Sequence, residues 1–156
     1  MSLLLTEDQK LLKRSAADFV HNESPLARIR ELRDSGSSDG FSRRLWREMA
    51  ELGWQAVPIA EGYGGLGMGM TEMTAVLEEC GRNLVPEPLL STVLLGAMPV
   101  GLAGNEAQRE AVLPGVVDGS LVMTMAYQEK DSRYDPLVCR TRAVKKGGSY
   151  VLDGEK

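Results

Sequence analysis

Aromatic residues, histidine and cysteine are all scarce in this sequence. Aromatic residues make up 5% of the 156 positions, too few for a surface on which nucleic-acid bases stack. The formal net charge of −4 lacks the basic excess of a dedicated nucleic-acid-binding protein. One histidine cannot build a His-rich metal site, and Cys80 and Cys139 do not make a disulfide framework. These scarcities favour a soluble protein of a reducing compartment, and we expect it in the cytoplasm.

Long apolar runs without interruption are also scarce. The leucines at positions 3–5 are followed at once by Thr6, Glu7 and Asp8, so we expect no signal peptide here. The longest apolar stretch covers residues 84–104, but it contains Glu87 and three prolines. This composition predicts a buried core helix and no membrane span.

Helical periodicity dominates the first two-thirds of the chain. Thr6 and Gln9 form a capping-box pair, after which apolar residues recur at helical spacing. Two later segments repeat this spacing, with Leu45, Trp46, Met49 and Leu52 in one and Met73, Val76, Leu77 and Cys80 in the other. Residues 88–102 are apolar on nearly every side, which is typical of a helix inside a bundle. The sequence therefore predicts a mainly α fold, with a helical domain over residues 1–119.

The helical pattern gives way to a strand pattern near residue 120. Asn105 caps a short last helix, which we expect to end at Pro114. Three runs rich in β-forming residues follow, at 121–125, 137–146 and 149–152. Gly147-Gly148 separates the last two runs and predicts a two-residue hairpin turn. Two or three strands do not make a stable sheet alone, so residues 120–156 are predicted to begin a second, β-rich domain.

Five glycines lie between residues 62 and 69, immediately before a predicted helix. Glycines in this position can cradle a phosphate at the helix N-terminus, and Gly65, Gly67 and Gly69 mimic part of a dinucleotide-binding fingerprint. That fingerprint requires a preceding strand and a βαβ unit, whereas Pro58 interrupts the only candidate strand. The pattern favours a compact connector, with a Rossmann-type nucleotide site as the alternative.

Several motifs occur in the order in which the acyl-CoA dehydrogenase family has them. The chain resembles that family's N-terminal helical domain at the following runs: Leu52-Gly53-Trp54, EGYGGLG at 61–67, EECGR at 78–82, GNEAQR at 104–109, Leu113-Pro114 and Gly119. The opening LTEDQ at 5–9 and the runs RTRA at 140–143 and YVLDGEK at 150–156 are similar as well. The resemblance thus covers nearly the whole chain.

The resemblance implies an N-terminal α-domain, a β-barrel-like middle domain and a C-terminal four-helix domain. It implies the cofactor FAD and the oxidation of an acyl-CoA thioester to its trans-2-enoyl product, as in fatty acid β-oxidation. Electron-transfer flavoprotein or a similar acceptor is the expected partner, in a homo- or hetero-oligomer. The family's proton-abstracting glutamate usually lies in the C-terminal domain, so no catalytic residue is assigned to this chain. The apolar helix 88–102 is expected to form part of the acyl pocket.

The family's flavin-contacting pattern, Thr-Glu-Pro followed by Gly-Ser-Asp, corresponds to residues 125–135. Glu129 and Asp135 agree with it, whereas Gln128 replaces threonine, Lys130 replaces proline and Arg133-Tyr134 replace Gly-Ser. The resemblance implies that the flavin-contacting residues are Met125, Tyr127, Gln128, Arg133 and Tyr134. The Gln128 amide can still donate a hydrogen bond, and the Arg133 guanidinium can supply charge near a phosphate.

These departures open a second hypothesis about function. An Arg-Tyr pair at this point resembles a branch that includes pimeloyl-CoA dehydrogenase-like and steroid-side-chain-degrading enzymes. Some of these enzymes pair a catalytic subunit with a non-catalytic one. The alternative to a catalytic chain is therefore a non-catalytic, structural subunit of a heteromeric acyl-CoA dehydrogenase.

Overall fold

The secondary structure is mainly α-helical, which confirms the predicted fold class. The computed structural model describes residues 4–133 and 135–156, and within these ranges six α-helices precede one β-hairpin. The helices are α1 (Glu7–Glu23), α2 (Leu26–Asp34), α3 (Arg43–Glu51), α4 (Met70–Arg82), α5 (Met98–Ala103) and α6 (Glu106–Val117). A 3-10 turn covers Glu61–Tyr63, and a π-helical segment, Leu90–Ala97, runs directly into α5. The hairpin consists of β1 (Arg142–Lys146) and β2 (Ser149–Asp153).

The chain separates into two compact units. A helical unit ends at Thr124, and a hairpin unit covers Met125–Lys156. The assignment of residues 1–119 and 120–156 to separate domains remains a prediction. Within the described ranges, no helix is both long and apolar enough to cross a membrane.

Side-chain caps fix where the helices begin. The Thr6 hydroxyl accepts a hydrogen bond from the Gln9 amide at 3.2 Å, and the Gln9 side chain accepts one from the Thr6 amide at 2.9 Å. This pairing confirms the predicted capping box. The Gln9 side chain also donates to Glu72 of α4 at 2.7 Å. Because Glu72 itself accepts from the Gly69 amide, the starts of α1 and α4 are joined by hydrogen bonds.

The core of the helical unit forms around two buried tryptophans. Trp46 of α3 is 2% exposed, and its indole nitrogen donates to the carbonyl of Gly119 at 2.9 Å. Trp54 is 1% exposed and meets Phe19 of α1 edge to face, with ring centroids 5.2 Å apart. The two indoles therefore join α1, α3 and the chain after α6, while burying large apolar areas.

The glycine-rich segment folds back on the chain before it. The amides of Leu66, Gly67 and Met68 donate to the carbonyls of Ala56, Ile59 and Val57 at 2.8–2.9 Å. A Cβ placed on Gly65 would lie 1.9 Å from the Ile59 carbonyl oxygen, so only glycine allows this close approach. No strand precedes the segment within the described ranges. The Glu72 carboxylate already occupies the first turn of α4, which supports the connector and argues against a phosphate cradle.

The predicted strand at residues 121–125 is wrong. Residues 120–129 belong to no strand, and the amides of Leu121 and Met123 are directed to helical residues. The Leu121 amide donates to the Gly115 carbonyl at 2.7 Å, and the Met123 amide lies 3.4 Å from the Thr92 hydroxyl. Gly96 permits this packing, since a Cβ there would lie 2.5 Å from the Met123 side chain.

Two other boundaries differ from the sequence prediction. Helix α6 continues through Pro114 to Val117; the proline removes one donor but stands in the last turns, where the Asp118 amide still donates to its carbonyl. Strand β1 begins only at Arg142, whereas the pattern predicted a strand from residue 137. The predicted hairpin is confirmed, with Lys146 paired to Ser149 across the two glycines.

A buried ion pair lies beside the start of the π-helical segment. The Glu87 side chain is fully buried, and both terminal nitrogens of the Arg28 guanidinium donate to it. The Ser42 amide also donates to Glu87, at 3.0 Å. Burial and the nearby Glu87 charge raise the pKa of Cys80 to about 12, so this thiol is a protonated core group. Through its hydrogen bonds with the Arg28 guanidinium and the Ser42 amide, Glu87 holds α2 and the start of α3 together.

We expect Gly65→Ala to lower the free energy of unfolding by about 1–3 kcal/mol, because the new methyl group would collide with backbone. Gly62→Ala is the matched control, since a Cβ there meets nothing within 4 Å, and it should change stability by less than about 0.5 kcal/mol. Urea unfolding followed by circular dichroism measures both. Equal stabilities of the two variants would contradict the close contact between Gly65 and the Ile59 backbone.

Glu87→Ala should lower the free energy of unfolding by about 3–5 kcal/mol, because it leaves the Arg28 charge without its buried partner. Glu48→Ala removes a glutamate that is paired with the more exposed Arg44, and it should cost less than about 1 kcal/mol. The same urea titration compares them. A Glu87 variant as stable as the Glu48 variant would show that the ion pair is not a structural support.

Candidate functional site

The polar loop of the hairpin unit surrounds a small cavity. The cavity has a volume of about 200 Å³ and is lined by Tyr127, Gln128, Ser132, Arg133, Asp135 and Pro136. Three of the predicted flavin contacts, Tyr127, Gln128 and Arg133, are thus brought together. Met125 is not among the lining residues, and Tyr134 lies outside the described residues. The role of all five in cofactor binding remains a prediction.

Two successive turns give the loop its shape. The Ser132 hydroxyl donates to the Glu129 carbonyl at 2.8 Å and accepts from the Glu129 amide at 3.1 Å. The Asp135 amide then donates to the Ser132 carbonyl at 2.9 Å. Ser132 is buried and belongs to both turns, so its side chain determines how the loop closes. The sequence pattern did not single out Ser132, because a serine in a polar loop is unremarkable without its partners.

Arg133 has the backbone conformation that glycine usually provides. Its φ angle is +49°, in the left-handed region that residues with a side chain seldom adopt. The family pattern has glycine at this position. The loop therefore keeps a glycine-like backbone while presenting an exposed guanidinium, and such strain persists only where neighbouring contacts enforce it.

A second group of residues fixes the loop from its other side. The Glu129 carboxylate accepts from the Arg140 amide at 2.7 Å, the Thr141 amide at 3.0 Å and the Thr141 hydroxyl at 2.8 Å. Lys156 pairs with it at 2.8 Å, and the Cys139 thiol lies at 3.4 Å. We call Glu129, Cys139, Arg140, Thr141 and Lys156 the Glu129 cluster. Its hydrogen bonds explain why β1 starts late, since the amides of residues 140 and 141 are turned toward the carboxylate.

Charge and hydrogen bonding in the Glu129 cluster strongly favour the ionised carboxylate. The hydrogen bond from Lys156, followed by those from the amides of Arg140 and Thr141, holds the pKa of Glu129 far below its usual range. Glu129 is also one of the two loop residues that agree with the family pattern, the other being Asp135. The sequence identified this residue by resemblance, but it gave no indication of the donors, which lie 10–27 positions further along the chain.

The donors around the small cavity suit the oxygen atoms of a flavin nucleotide. The Gln128 amide nitrogen can donate to a ring carbonyl, and the Arg133 guanidinium can face a phosphate. Both side chains are exposed and therefore available to a ligand. The chemistry of these donors fits FAD, and none of them can serve as a proton-abstracting base at neutral pH.

The helical unit contains a larger and more apolar cleft. It has a volume of about 370 Å³ and is lined by Pro58, Ile59, Ala60, Tyr63, Ala97, Met98, Gly101, Leu102, Arg109 and Leu113. The Tyr63 hydroxyl lies 2.9 Å and 3.0 Å from the two Glu106 carboxylate oxygens. The Arg109 guanidinium approaches the same carboxylate at 3.8 Å, so the charges at the rim of this cleft largely offset each other.

The chain belongs to the acyl-CoA dehydrogenase family, because the family's N-terminal domain matches residues 6–120. An acyl-CoA dehydrogenase of Bacillus subtilis (strain 168) is 29% identical over 97% of this chain and 40% of the relative. The ChsE4-ChsE5 complex from Mycobacterium tuberculosis matches with a TM-score of 0.83 and 26% identity, over 99% of this chain and 40% of the solved chain. An acyl-CoA dehydrogenase from Bacillus anthracis, solved with FAD, matches with a TM-score of 0.83 and 29% identity, over 96% and 26%.

The present chain thus spans 40% or less of the length of these relatives. The family and the fold of this portion are shared with them. The activity, substrate and partners of the whole protein are proposals.

The low pKa of Glu129 leads to a prediction about acid. A carboxyl group whose pKa is lowered by folding stabilises the folded state above the unfolded pKa, about 4.3, and loses this effect as pH falls through its folded pKa. We therefore expect the NMR amide resonances of Arg140 and Thr141 to keep their neutral-pH positions when pH is lowered through 4.3. A titration of these resonances with a midpoint near that value would show that the donors around Glu129 do not stabilise its ionised carboxylate. In Asp131→Asn, which removes an exposed carboxylate paired with Arg140, the Glu129 carboxylate should still show no titration at about pH 4.3 through the Thr141 amide resonance.

Proposed function

We propose that this chain is the N-terminal portion of an FAD-dependent acyl-CoA dehydrogenase that converts an acyl-CoA thioester to its trans-2-enoyl product. The observation that carries this proposal is the cavity in which Tyr127, Gln128 and Arg133 converge. It lies at the position of the family's flavin-contacting pattern, in a chain that belongs to the family. The relative from Bacillus anthracis, solved with FAD, supports the choice of cofactor.

The residues of this chain would bind and orient the cofactor, while the cofactor itself carries out the redox chemistry. FAD supplies a hydride acceptor when it is bound. Gln128 would hold a flavin carbonyl through its amide, and Arg133 would offset phosphate charge. No residue of this chain is assigned as the base that removes the α-proton of the substrate, because the family resemblance implies that base in a C-terminal domain.

The π-helical segment is our candidate for the wall of the acyl pocket. Its inner side buries Thr92, Val93, Gly96 and Ala97. Its other side leaves Leu90 exposed and Leu95 half-buried. An apolar surface without charge suits an acyl chain, because it excludes water and offers no polar group that would remain unpaired. Such irregular helical winding often occurs at functional sites.

The proposed partners follow from the same function. The acyl-CoA is the substrate, and electron-transfer flavoprotein or a similar acceptor removes the electrons from the reduced cofactor. A homo- or hetero-oligomer is proposed. We propose the cytoplasm as its location.

A non-catalytic subunit is the second candidate function. Gln128, Lys130 and Arg133 depart from the family pattern at the loop that should contact flavin. The similar ChsE4-ChsE5 structure is a complex of two named components, which favours a heteromeric arrangement for relatives of this type. In that case this chain would support a catalytic partner and would bind no flavin itself.

Native mass spectrometry of the full-length protein separates the two functions, because it reports polypeptide mass, bound cofactor and subunit composition together. A dehydrogenase should carry FAD and should reduce an electron acceptor when an acyl-CoA is added. A protein without FAD that oxidises acyl-CoA only in complex with another subunit would contradict the first function and support the second.

Gln128→Ala should weaken FAD binding by about 1–3 kcal/mol, since a flavin acceptor would lose its donor. Lys130→Ala is the matched control, because Lys130 is exposed two positions further along and does not line the cavity. Equilibrium titration of the apoprotein with FAD, followed by flavin fluorescence, measures both affinities. Equal affinities for the Gln128 and Lys130 variants would show that Gln128 does not contact the cofactor.

A further inference from the structure

The Glu129 cluster connects three stretches of the hairpin unit that are far apart in sequence. Glu129 lies in the loop, Arg140 and Thr141 lie just before β1, and Lys156 follows β2. The carboxylate belongs to the loop and receives main-chain and side-chain donors of the other two stretches within 2.7–3.0 Å. This single side chain therefore sets where the loop stands relative to the hairpin.

The carboxylate does not itself belong to the small cavity. Glu129 lines a different depression, together with Arg140 and Thr141, whereas Gln128 and Arg133 line the cavity. Gln128 shares a peptide bond with Glu129, so fixing Glu129 also restricts the backbone of Gln128. The main chain of Glu129 is held to Ser132 as well, and Ser132 immediately precedes Arg133.

An exposed pair in the same unit shows what an ordinary surface interaction looks like. Asp131 and Arg140 approach at 2.7 Å, but their side chains are 54% and 72% exposed, and pairs of this kind contribute little. The side chains of Glu129 and Lys156 are 6% and 24% exposed. The Glu129 carboxylate also has main-chain donors, which cannot move away as a flexible side chain can.

We propose that Glu129 is a positioning residue of the cofactor site, whose carboxylate holds the loop in the shape that presents Gln128 and Arg133 to FAD. This inference rests on the proposed function, because it assigns the residue a role toward the cofactor. Glu129 touches no ligand in this role and acts through the loop backbone on one side and through the hairpin on the other. The left-handed conformation of Arg133 is one of the features that this cluster maintains.

The test compares two variants of the full-length protein that remove the same charge from the same loop. Glu129→Gln keeps the size of the side chain but loses the charge that Lys156 and the two amides contact, and Asp131→Asn removes only the exposed pair. FAD affinity is measured by titration of the apoprotein, and the visible absorption spectrum of the bound flavin is recorded at saturating FAD. We expect Glu129→Gln to weaken FAD binding about tenfold or more and to shift the spectrum, while Asp131→Asn stays within about twofold of the unsubstituted protein.

The spectrum separates a positioning role from a general effect on folding. A merely structural role would reduce the amount of folded protein and leave the spectrum of the bound flavin unchanged. A Glu129→Gln protein with an unaltered affinity and spectrum would overturn the inference. So would an altered affinity that Asp131→Asn reproduces in full.

A second pair of variants keeps the inference testable if Glu129→Gln does not fold. Lys156→Met should weaken FAD binding in the same direction, whereas Lys156→Arg, which keeps the positive charge, should restore it. If Glu129→Gln does fold, the losses of affinity caused by Glu129→Gln and Lys156→Met should be far from additive in the double variant, because both remove the same ion pair. Additive losses, or equal affinities for Lys156→Met and Lys156→Arg, would contradict the proposal.

The unsubstituted protein distinguishes failure of this inference from failure of the proposed function. If it binds no FAD, the proposed function is wrong and the positioning role falls with it. If it binds FAD and the Glu129 and Lys156 variants bind equally well, only the positioning role is wrong. Slow hydrogen exchange at the Arg140 and Thr141 amides of the unsubstituted protein would support the cluster itself, independently of any cofactor.

Discussion

A carboxylate that leaves water must be surrounded by donors, and this constraint organises both units of the chain. In the helical unit, Glu87 is met by Arg28 of α2 and by the Ser42 amide before α3. In the hairpin unit, Glu129 is met by the Arg140 and Thr141 amides and by Lys156. Each glutamate lies beside a proposed binding surface without forming it: one precedes the π-helical segment, and the other precedes the turn that carries Arg133. The donors come from distant parts of the sequence. Each carboxylate can be satisfied only when these segments lie next to it, so its hydrogen bonds fix how the segments are arranged.

Local signals in the sequence were sufficient for features that depend on a few neighbouring residues. The capping box of Thr6 and Gln9 and the hairpin across Gly147-Gly148 were predicted because the interacting groups lie within three positions of each other. The strand expected at 121–125 failed for the opposite reason. Met123 of this segment lies against Gly96, and its amide donates to the Thr92 hydroxyl. No periodicity can distinguish a strand that pairs with a sheet from an extended segment that lies on helices.

The candidate site shows the same division between local and distant information. The family pattern located Gln128, Glu129 and Arg133, and the structure brings Gln128 and Arg133 to one cavity. The pattern could not show that Glu129 lines a different depression from that cavity, nor that Lys156 is its partner. Twenty-seven positions separate these two residues, and their contact exists only because the hairpin returns the chain to the loop.

The backbone conformation at position 133 bears on how the departure from the family pattern there is interpreted. Arg133 retains a φ angle of +49°, which is the geometry that glycine would adopt without cost. A residue with a side chain keeps such a conformation only where the surrounding contacts compensate its strain. Here the turn through Ser132 and the Glu129 cluster hold it in place. The backbone at position 133 thus has the left-handed geometry that glycine favours, while the side chain differs from the family pattern. Under the proposed function, this arginine would meet the anionic ligand in place of a serine hydroxyl and a closely approaching glycine.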